Sequence, residues 1–173
     1  DEQLRSWARH KTRHLDEFAM ELAGVVNDEQ PDLKTARNLY ASVVLNPYSE
    51  TWYSQSLESS LEHYDYTAIM AMPYMEQAPD PEAFLRKIVE KVAERPGAMR
   101  KVVIELQSVD WRKDGQALPG TELADTIRRL YEWGVKNVGY YPDNLFKNNP
   151  DPQQLRPVFA TMANARPLSE LIP

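Results

Sequence analysis

Four short apolar runs, which begin at residues 35, 67, 101 and 135, set the organisation of this chain. They are rich in β-branched and aromatic residues and are bounded by turn residues, a pattern that predicts buried β-strands. The predicted strands span residues 35–44, 67–74, 101–108 and 135–141. Their starts lie 32 to 34 residues apart and no sequence motif recurs with that spacing, so the period indicates a repeated structural unit.

Amphipathic helical patterns precede and separate the predicted strands. They span residues 3–27, 54–64, 81–95 and 121–133. In the first, apolar residues recur at helical spacing from Leu4 to Val26, which predicts one apolar face. In the third, Asp80 is the predicted N-cap and Pro81 occupies the first turn. Alternation of helices and strands predicts an α/β fold, with a parallel sheet and helices outside it.

Four consecutive strand-helix units make up half of a (β/α)8, or TIM, barrel. The chain has 173 residues, whereas a complete barrel needs roughly 200 at the least. A complete four-stranded doubly wound sheet is the alternative. It is disfavoured because no glycine-rich phosphate-binding turn follows a predicted strand, and the chain holds only 6 glycines.

The periodic pattern stops after Tyr141. The segment that follows predicts a loop with at most one helical turn near Pro152–Leu155, and residues 160–173 are predicted to form a C-terminal tail. The predicted half-barrel therefore covers residues 1–159. Because the chain opens at Asp1 inside a charged amphipathic segment, we expect it to be a piece of a longer protein.

Composition excludes several classes of function. The net charge is -6 and the pI is about 5.1, so the surface repels phosphate backbones and nucleic acid is not an expected partner. No apolar run approaches the roughly eighteen residues of a membrane helix, so no membrane-spanning segment is expected. The absence of cysteine removes disulfides, thiolate catalysis and thiolate zinc sites.

The carboxyl ends of all four predicted strands are polar and aromatic. Ligands of parallel α/β folds bind at this edge of the sheet, and sugars need aromatic faces for their rings and polar partners for their hydroxyl groups. The pattern therefore predicts a carbohydrate-binding cleft. Its candidate residues are Asn46, Tyr48, Glu50, Trp52, Tyr74, Glu76, Gln77, Glu105, Gln107, Asp110, Trp111, Tyr140, Tyr141, Asp143 and Asn144.

Glu105 interrupts a run that otherwise suits a strand buried on both faces. A carboxylate there is costly unless it is paired or lies in a solvated cleft. Two interpretations stay open: a structural carboxylate paired with a basic residue of a neighbouring strand, or a ligand-binding or catalytic carboxylate. Arg37 and Asn38 interrupt the first strand in the same way, and period two allows only one of them to face the cleft.

Other catalytic motifs are missing. His10 and His14 have the spacing of a helical metal pair, but three arginines crowd the segment, so a solvated basic face is expected and no metal site. Neither a Gly-x-Ser-x-Gly elbow nor a phosphate-binding loop occurs, which disfavours serine-hydrolase and nucleotide chemistry.

A family resemblance rests on five sequence blocks: KTRHLDEFAMEL, PDLKTARNLYASVV, YDYTAIMAMPYME, VVIELQSVDW and GVKNVGYYPDN. They closely resemble the C-terminal half of the PgaB-type poly-β-1,6-N-acetyl-D-glucosamine N-deacetylases. The resemblance runs from about residue 4 to residue 159. It implies the second half of a C-terminal (β/α)8 glycoside hydrolase domain, which binds and cleaves partially deacetylated poly-N-acetylglucosamine, a biofilm exopolysaccharide.

The resemblance also implies roles and surroundings. Glu105 becomes a lining carboxylate of the glycan cleft, with Tyr74, Trp111, Tyr140 and Tyr141 as sugar-stacking groups. With an upstream aspartate as one catalytic carboxylate, Glu105 is the candidate in this chain for the second one or for a contact that orients the substrate. The family's aspartate-rich catalytic motif and its metal-holding deacetylase domain are not found here, so no cofactor is expected in this chain and the fragment alone is expected to be inactive. Periplasmic localisation, an N-terminal lipid anchor to the outer membrane and an export porin as partner are implied as well.

Three functional hypotheses follow. The first is one half of an endo-acting glycoside hydrolase domain, with the partner carboxylate upstream of this chain. The second is a polysaccharide-binding module that assists polymer export without cleaving. The third is a self-contained four-stranded α/β interaction domain. Predicted substrate contacts under the first two are Asn38, Tyr48, Tyr74, Glu76, Gln107, Trp111, Tyr140, Tyr141, Asp143 and Asn144.

Overall fold

A four-stranded parallel sheet forms the centre of the molecule in the computed structural model, which describes residues 2–163. Its strands are β1 (Ala36–Tyr40), β2 (Tyr66–Met70), β3 (Val102–Gln107) and β6 (Asn137–Tyr141). They lie side by side in chain order, and every neighbouring pair is parallel. A short antiparallel hairpin, β4 (Val109–Asp110) and β5 (Gln116–Ala117), follows β3. The predicted parallel α/β architecture is confirmed.

Helices precede and connect the strands. They are α1 (Glu2–Glu29), α2 (Ala41–Leu45), α3 (Glu50–Tyr53), α4 (Leu57–His63), α5 (Pro81–Ala93), α6 (Ala98–Lys101), α7 (Gly120–Glu132) and α8 (Pro152–Ala163). Single 3-10 turns lie at Pro47–Ser49 and Trp111–Lys113.

Three parts of the predicted layout were wrong. The second predicted strand, residues 67–74, ends at Met70, because the chain turns at residues 73–77. The first predicted strand ends at Tyr40, because the apolar residues that follow it coil into α2 and bury Ala41, Val43 and Val44. The segment predicted as loop contains the three-turn helix α8, in which Leu155 and Val158 pack into the core. Because α8 runs to Ala163, the helix continues past residue 159, and the predicted tail beyond it lies outside the described residues.

The two faces of the sheet have different surroundings. Leu39, Ile69 and Ile104 occupy matching positions on adjacent strands and are almost completely buried under the helices. The alternate residues of each strand point to the opposite face, which no helix covers within residues 2–163. We call this the open face.

Local signals explain the helices that cover the other face. The Asp80 side chain accepts a hydrogen bond from the Ala83 backbone N–H at 3.0 Å and caps α5, as predicted, while Pro81 takes the first turn. Helix α5 buries the stripe Leu85, Ile88, Val89 and Val92. Helix α7 buries Leu123, Ala124, Ile127 and Leu130 in the same way.

Helix α1 departs from the expected packing. The large side chains of its apolar face are 43–67 % exposed: Leu4, Trp7, Leu15, Phe18, Leu22, Val25 and Val26. The buried side of α1 instead carries polar residues. Thr12 donates to Glu50 at 2.7 Å, and the Asp16 carboxylate accepts hydrogen bonds from Ser59 and Tyr64. Within residues 2–163, no helix is long and apolar enough to cross a membrane.

Candidate functional site

The centre of the open face is a row of four residues, one from each strand. Tyr40 lies beside Met70, Met70 beside Glu105, and Glu105 beside Gly139. One level lower, Asn38 and Val103 belong to the same face, whereas Arg37 points to the helix side, where its guanidinium lies 6.0 Å from the centre of the Tyr64 ring. Of the two polar interruptions of β1, Asn38 is therefore the one on the open face.

Glu105 is a half-buried carboxyl group without a compensating charge. Among the described residues, none forms a hydrogen bond or ion pair with it. Within these residues Glu105 is therefore not a structural carboxylate paired with a basic residue, which was one of the two interpretations of the sequence. Burial raises the pKa of Glu105 above its ordinary value. The structure thus holds a carboxyl group with a raised proton affinity in the middle of an accessible sheet face.

Gln107 also belongs to the open face by strand period, but its side chain is buried and makes three hydrogen bonds to backbone groups. Its amide oxygen accepts hydrogen bonds from the backbone N–H groups of Tyr74 and Met75, at 2.9 and 3.3 Å. Its amide nitrogen donates to the Val109 carbonyl at 2.9 Å. Gln107 therefore ties together the segments that follow β2 and β3.

Asp110 shapes the turn that presents Trp111. Its buried carboxylate accepts hydrogen bonds from the Arg112 side chain at 2.8 and 2.9 Å and from the Arg112 backbone N–H at 3.0 Å. Hydrogen bonding from Arg112 holds the pKa of Asp110 below its usual range. The turn places Trp111 near Tyr141, with nearly parallel rings whose centres are 6.4 Å apart.

A groove of about 800 Å³ lies between the β4–β5 hairpin and the segment after β6. Trp111, Asp143 and Asn144 line it, so three residues predicted as substrate contacts are brought together there. Tyr141 belongs to the open face, since it pairs with Gln107 and lies two residues beyond Gly139. The groove and the open face thus meet at the Trp111–Tyr141 pair.

Tyr74 and Tyr140 lie elsewhere. Tyr74 donates its hydroxyl hydrogen to Glu122 at 2.6 Å, an interaction that raises its pKa to about 12, and the Arg112 guanidinium covers one ring face at 4.2 Å. It borders a cavity of about 260 Å³ between α5 and α7. Tyr140 is on the helix side, 6.5 Å from Phe159 between ring centres, because alternate residues of β6 face opposite ways. Neither tyrosine joins the group around Glu105.

The remaining predicted contacts are spread along the strand ends. The Tyr48 ring lies 5.5 Å from the Arg5 guanidinium and meets Trp52 edge-on at 5.9 Å. Glu76 lies in the segment after β2, where partial loss of solvent around its carboxyl group raises its pKa. Whether these residues contact a ligand stays a prediction.

Sequence reasoning missed three members of the central row: Tyr40, Met70 and Gly139. The strand period places each residue on a face, but only the register between strands shows which residues lie beside Glu105. No cluster of three or more His, Cys, Asp or Glu residues that would hold a metal is found in the described part of the chain.

Comparison with known protein families identifies the family of this chain. Residues 1–141 match the family model described as hypothetical glycosyl hydrolase family 13. The chain belongs to this glycosyl hydrolase family. The named relatives and the solved structure described next are similar to this chain along almost its whole length.

Two curated relatives of this family member are named poly-beta-1,6-N-acetyl-D-glucosamine N-deacetylase, one from Escherichia coli strain K12 and one from Escherichia coli O157:H7. Each is 42 % identical over 165 residues, which is 92 % of this chain and 25 % of the relative. The chain thus spans about a quarter of the length of these relatives.

A solved structure, the glycoside hydrolase domain of PgaB (BpsB) from Bordetella bronchiseptica, superposes with a TM-score of 0.86 at 41 % identity. It covers 91 % of this chain, which in turn covers 45 % of that chain. The four strand-helix units therefore correspond to about half of a TIM-barrel glycoside hydrolase domain, and the resemblance identified in the sequence is confirmed.

Proposed function

We propose that this chain supplies one wall of the cleft in which a glycoside hydrolase domain binds partially deacetylated poly-β-1,6-N-acetyl-D-glucosamine and cleaves it within the chain. The uncompensated carboxyl group of Glu105 on the open face carries this proposal. The substrate follows from the named relatives, which are 42 % identical to this chain. Trp111 and Tyr141 offer aromatic faces nearby, and Asp143 and Asn144 offer polar partners.

Glycoside cleavage needs two carboxyl groups astride the scissile bond, about 5 Å apart for retention and about 6.5–9.5 Å apart for inversion. We assign Glu105 the role of proton donor, because a raised pKa keeps more of it protonated. Its proton passes to the glycosidic oxygen as the bond from that oxygen to the anomeric carbon breaks. The oxygen of a water molecule finally bonds to the anomeric carbon, and that water gives one proton to a carboxylate. The second carboxylate is an aspartate outside this chain.

Charge supports an amino-sugar substrate. Deacetylated units carry an ammonium group, and the net charge of the chain is -6. Glu76, Glu105 and Asp143 follow or belong to three neighbouring strands at the end where ligands of parallel folds bind. An acidic cleft attracts such a polymer and raises its local concentration.

The apolar face of α1 is a proposed contact with the rest of the domain. It exposes large apolar side chains, for example Trp7 and Phe18. Single-domain proteins seldom leave such continuous apolar surface uncovered. On this proposal the chain alone does not hydrolyse the polymer, because it lacks the second carboxylate.

For the whole protein we propose the properties that the family resemblance implies. These are a deacetylase domain with its divalent metal outside this chain, periplasmic localisation with a lipid anchor to the outer membrane, and an export porin as partner. The curated relatives are named N-deacetylases, and this chain matches 25 % of their length, which supports a deacetylase domain elsewhere in the whole protein.

The test is Glu105→Gln in the intact glycoside hydrolase domain. Removing a proton donor while keeping the shape of the side chain should lower the rate of polymer cleavage about 10²- to 10⁴-fold. Glu90→Gln, on the exposed side of α5, is the matched control and should cleave at the wild-type rate. Wild-type cleavage and wild-type binding by Glu105→Gln together would remove Glu105 from the site.

A binding module that holds the polymer for export is the second candidate. It is favoured by one observation: in the described part of the chain, Glu105 is the only carboxyl group on the strand positions of the open face. The length of the polymer after incubation with the intact domain separates the two, because a binding module leaves the length unchanged.

A further inference from the structure

Gly139 leaves a gap in the open face directly beside Glu105. The two residues are register partners on adjacent strands, and the next open-face positions of β6 carry the larger side chains of Asn137 and Tyr141. At the level of Glu105, β6 therefore presents only backbone. We call the space above Gly139, bordered by Val103, Glu105, Asn137 and Tyr141, the notch.

Neither the backbone nor the packing of the described residues requires glycine at this position. The glycines with left-handed backbone are Gly97, Gly115 and Gly134, whereas Gly139 has a conformation that other residues adopt. A Cβ atom added to Gly139 would lie 3.7 Å from Val103 Cγ1, an ordinary van der Waals distance. Glycine weakens a strand interior, and its presence there often marks the close approach of a ligand or of another backbone.

The borders of the notch limit what fits it. One side is the apolar Val103 and another is the carboxyl group of Glu105, which has no partner among the described residues. Asn137 is held in place, because its side-chain nitrogen donates to the carbonyl oxygens of Arg100 and Val102, each at 3.1 Å. A slim group with a methylene surface and an adjacent oxygen matches these borders.

A β-1,6 linkage offers that combination, because an exocyclic methylene separates the glycosidic oxygen from the next sugar ring. A β-1,4 linkage attaches the oxygen directly to a ring carbon and is wider there. We infer that the notch above Gly139 receives the methylene and the oxygen of the β-1,6 linkage, which places the oxygen at Glu105 and makes Gly139 a specificity-determining residue. This inference rests on the proposed function.

The experiment uses the intact glycoside hydrolase domain with Gly139→Ala and Gly139→Val. Its probes are a β-1,6-linked glucosamine oligomer and a β-1,4-linked one of equal length, and the readouts are kcat/KM, binding by titration, and Tm. We expect kcat/KM on the 1,6-linked oligomer to fall about 10-fold with alanine and about 100-fold or more with valine, while Tm stays equal to or rises above that of the wild type, because glycine weakens a strand interior. Gly24→Ala and Gly24→Val in α1, where an added Cβ meets nothing within 4 Å, are the matched controls.

Cleavage of the 1,6-linked oligomer at the wild-type rate by both Gly139 variants would overturn the inference. If Tm falls at the same time, the glycine serves barrel packing. If valine prevents folding, the alanine variant decides by the same criteria. Loss of cleavage in Glu105→Gln together with full activity of the Gly139 variants would remove this inference alone, whereas full activity of Glu105→Gln removes the proposed function.

Discussion

The two faces of one sheet differ sharply in this protein, although they are made of alternate residues of the same strands. On the helix-covered face, Leu39 and Ile69 are 0 % exposed and Ile104 is 1 % exposed. On the open face, Tyr40 is 37 % and Tyr141 is 55 % exposed, and Glu105 lies between them without a partner among the described residues. The covered face supplies the stability of the sheet, which leaves the open face for chemistry.

The largest expected effect on stability comes from the covered face. Ile104→Ala removes a completely buried side chain from the centre of the sheet and should lower the free energy of unfolding by about 2–5 kcal/mol. Urea unfolding of the intact domain measures this change, with Glu90→Ala on the exposed side of α5 as the control. A loss below about 1 kcal/mol would mean that the covered face is not a close-packed core.

Gln107 is an exception to the difference between the two faces, because it has an open-face position but a buried side chain that stabilises the fold. Gln107→Ala leaves the N–H groups of Tyr74 and Met75 and the Val109 carbonyl without their partner. The free energy of unfolding should fall by about 1–3 kcal/mol, the cost of an unsatisfied buried group. Equal stability of variant and wild type in the same urea experiment would show that water replaces these bonds.

The helix layer allows a smaller test. Asp80→Ala removes the side chain that accepts a hydrogen bond from the Ala83 N–H at the start of α5. The expected loss of stability is about 1 kcal/mol. Asp80→Asn is the matched variant, since asparagine caps about as well, and it should keep most of the stability. If Asp80→Ala and Asp80→Asn lose the same free energy of unfolding, the effect comes from the charge of Asp80 and not from its capping hydrogen bond.

The smallest expected effect is a dependence of stability on pH. Burial raises the pKa of Glu105 in the folded state, so the native protein binds its proton more tightly than the unfolded chain does. The contribution of this group is fully present below the ordinary value of 4.5 and is lost as the pH rises through the raised pKa. Glu105→Gln should therefore gain Tm relative to wild type across that window. A difference that is constant with pH would contradict this assignment.

Much of the fold follows from the sequence, because its signals are local. Asp80, Pro81 and the apolar stripe of α5 define that helix, and the apolar runs locate all four strands of the parallel sheet. Two segments could not be predicted from local signals. The run after Tyr40 has strand-like composition but coils into α2, and α8 contains Pro157, a residue that normally argues against a helix.

The site was predictable only in part. The position of Glu105 within an apolar strand is a signal that the sequence alone carries. Its neighbours Met70 and Gly139 carry no chemical signal of their own and depend on the register between strands. Tyr140 and Tyr141 look equivalent in sequence, yet the strand period sends only Tyr141 to the open face. The exposure of the α1 apolar face depends on which partner covers it, which sequence periodicity does not reveal.

Methyl NMR of the intact glycoside hydrolase domain tests the central claim most directly, because the two faces carry methyl probes at adjacent positions of the sheet. The Met70 methyl group lies beside Glu105 on the open face, and the Ile69 and Ile104 methyl groups lie under the helices. On titration with a β-1,6-linked glucosamine oligomer, the Met70 signal should shift in a saturable way while the two isoleucine signals stay in place. A saturable shift of the isoleucine signals with an unmoved Met70 signal would contradict the assignment of the glycan to the open face.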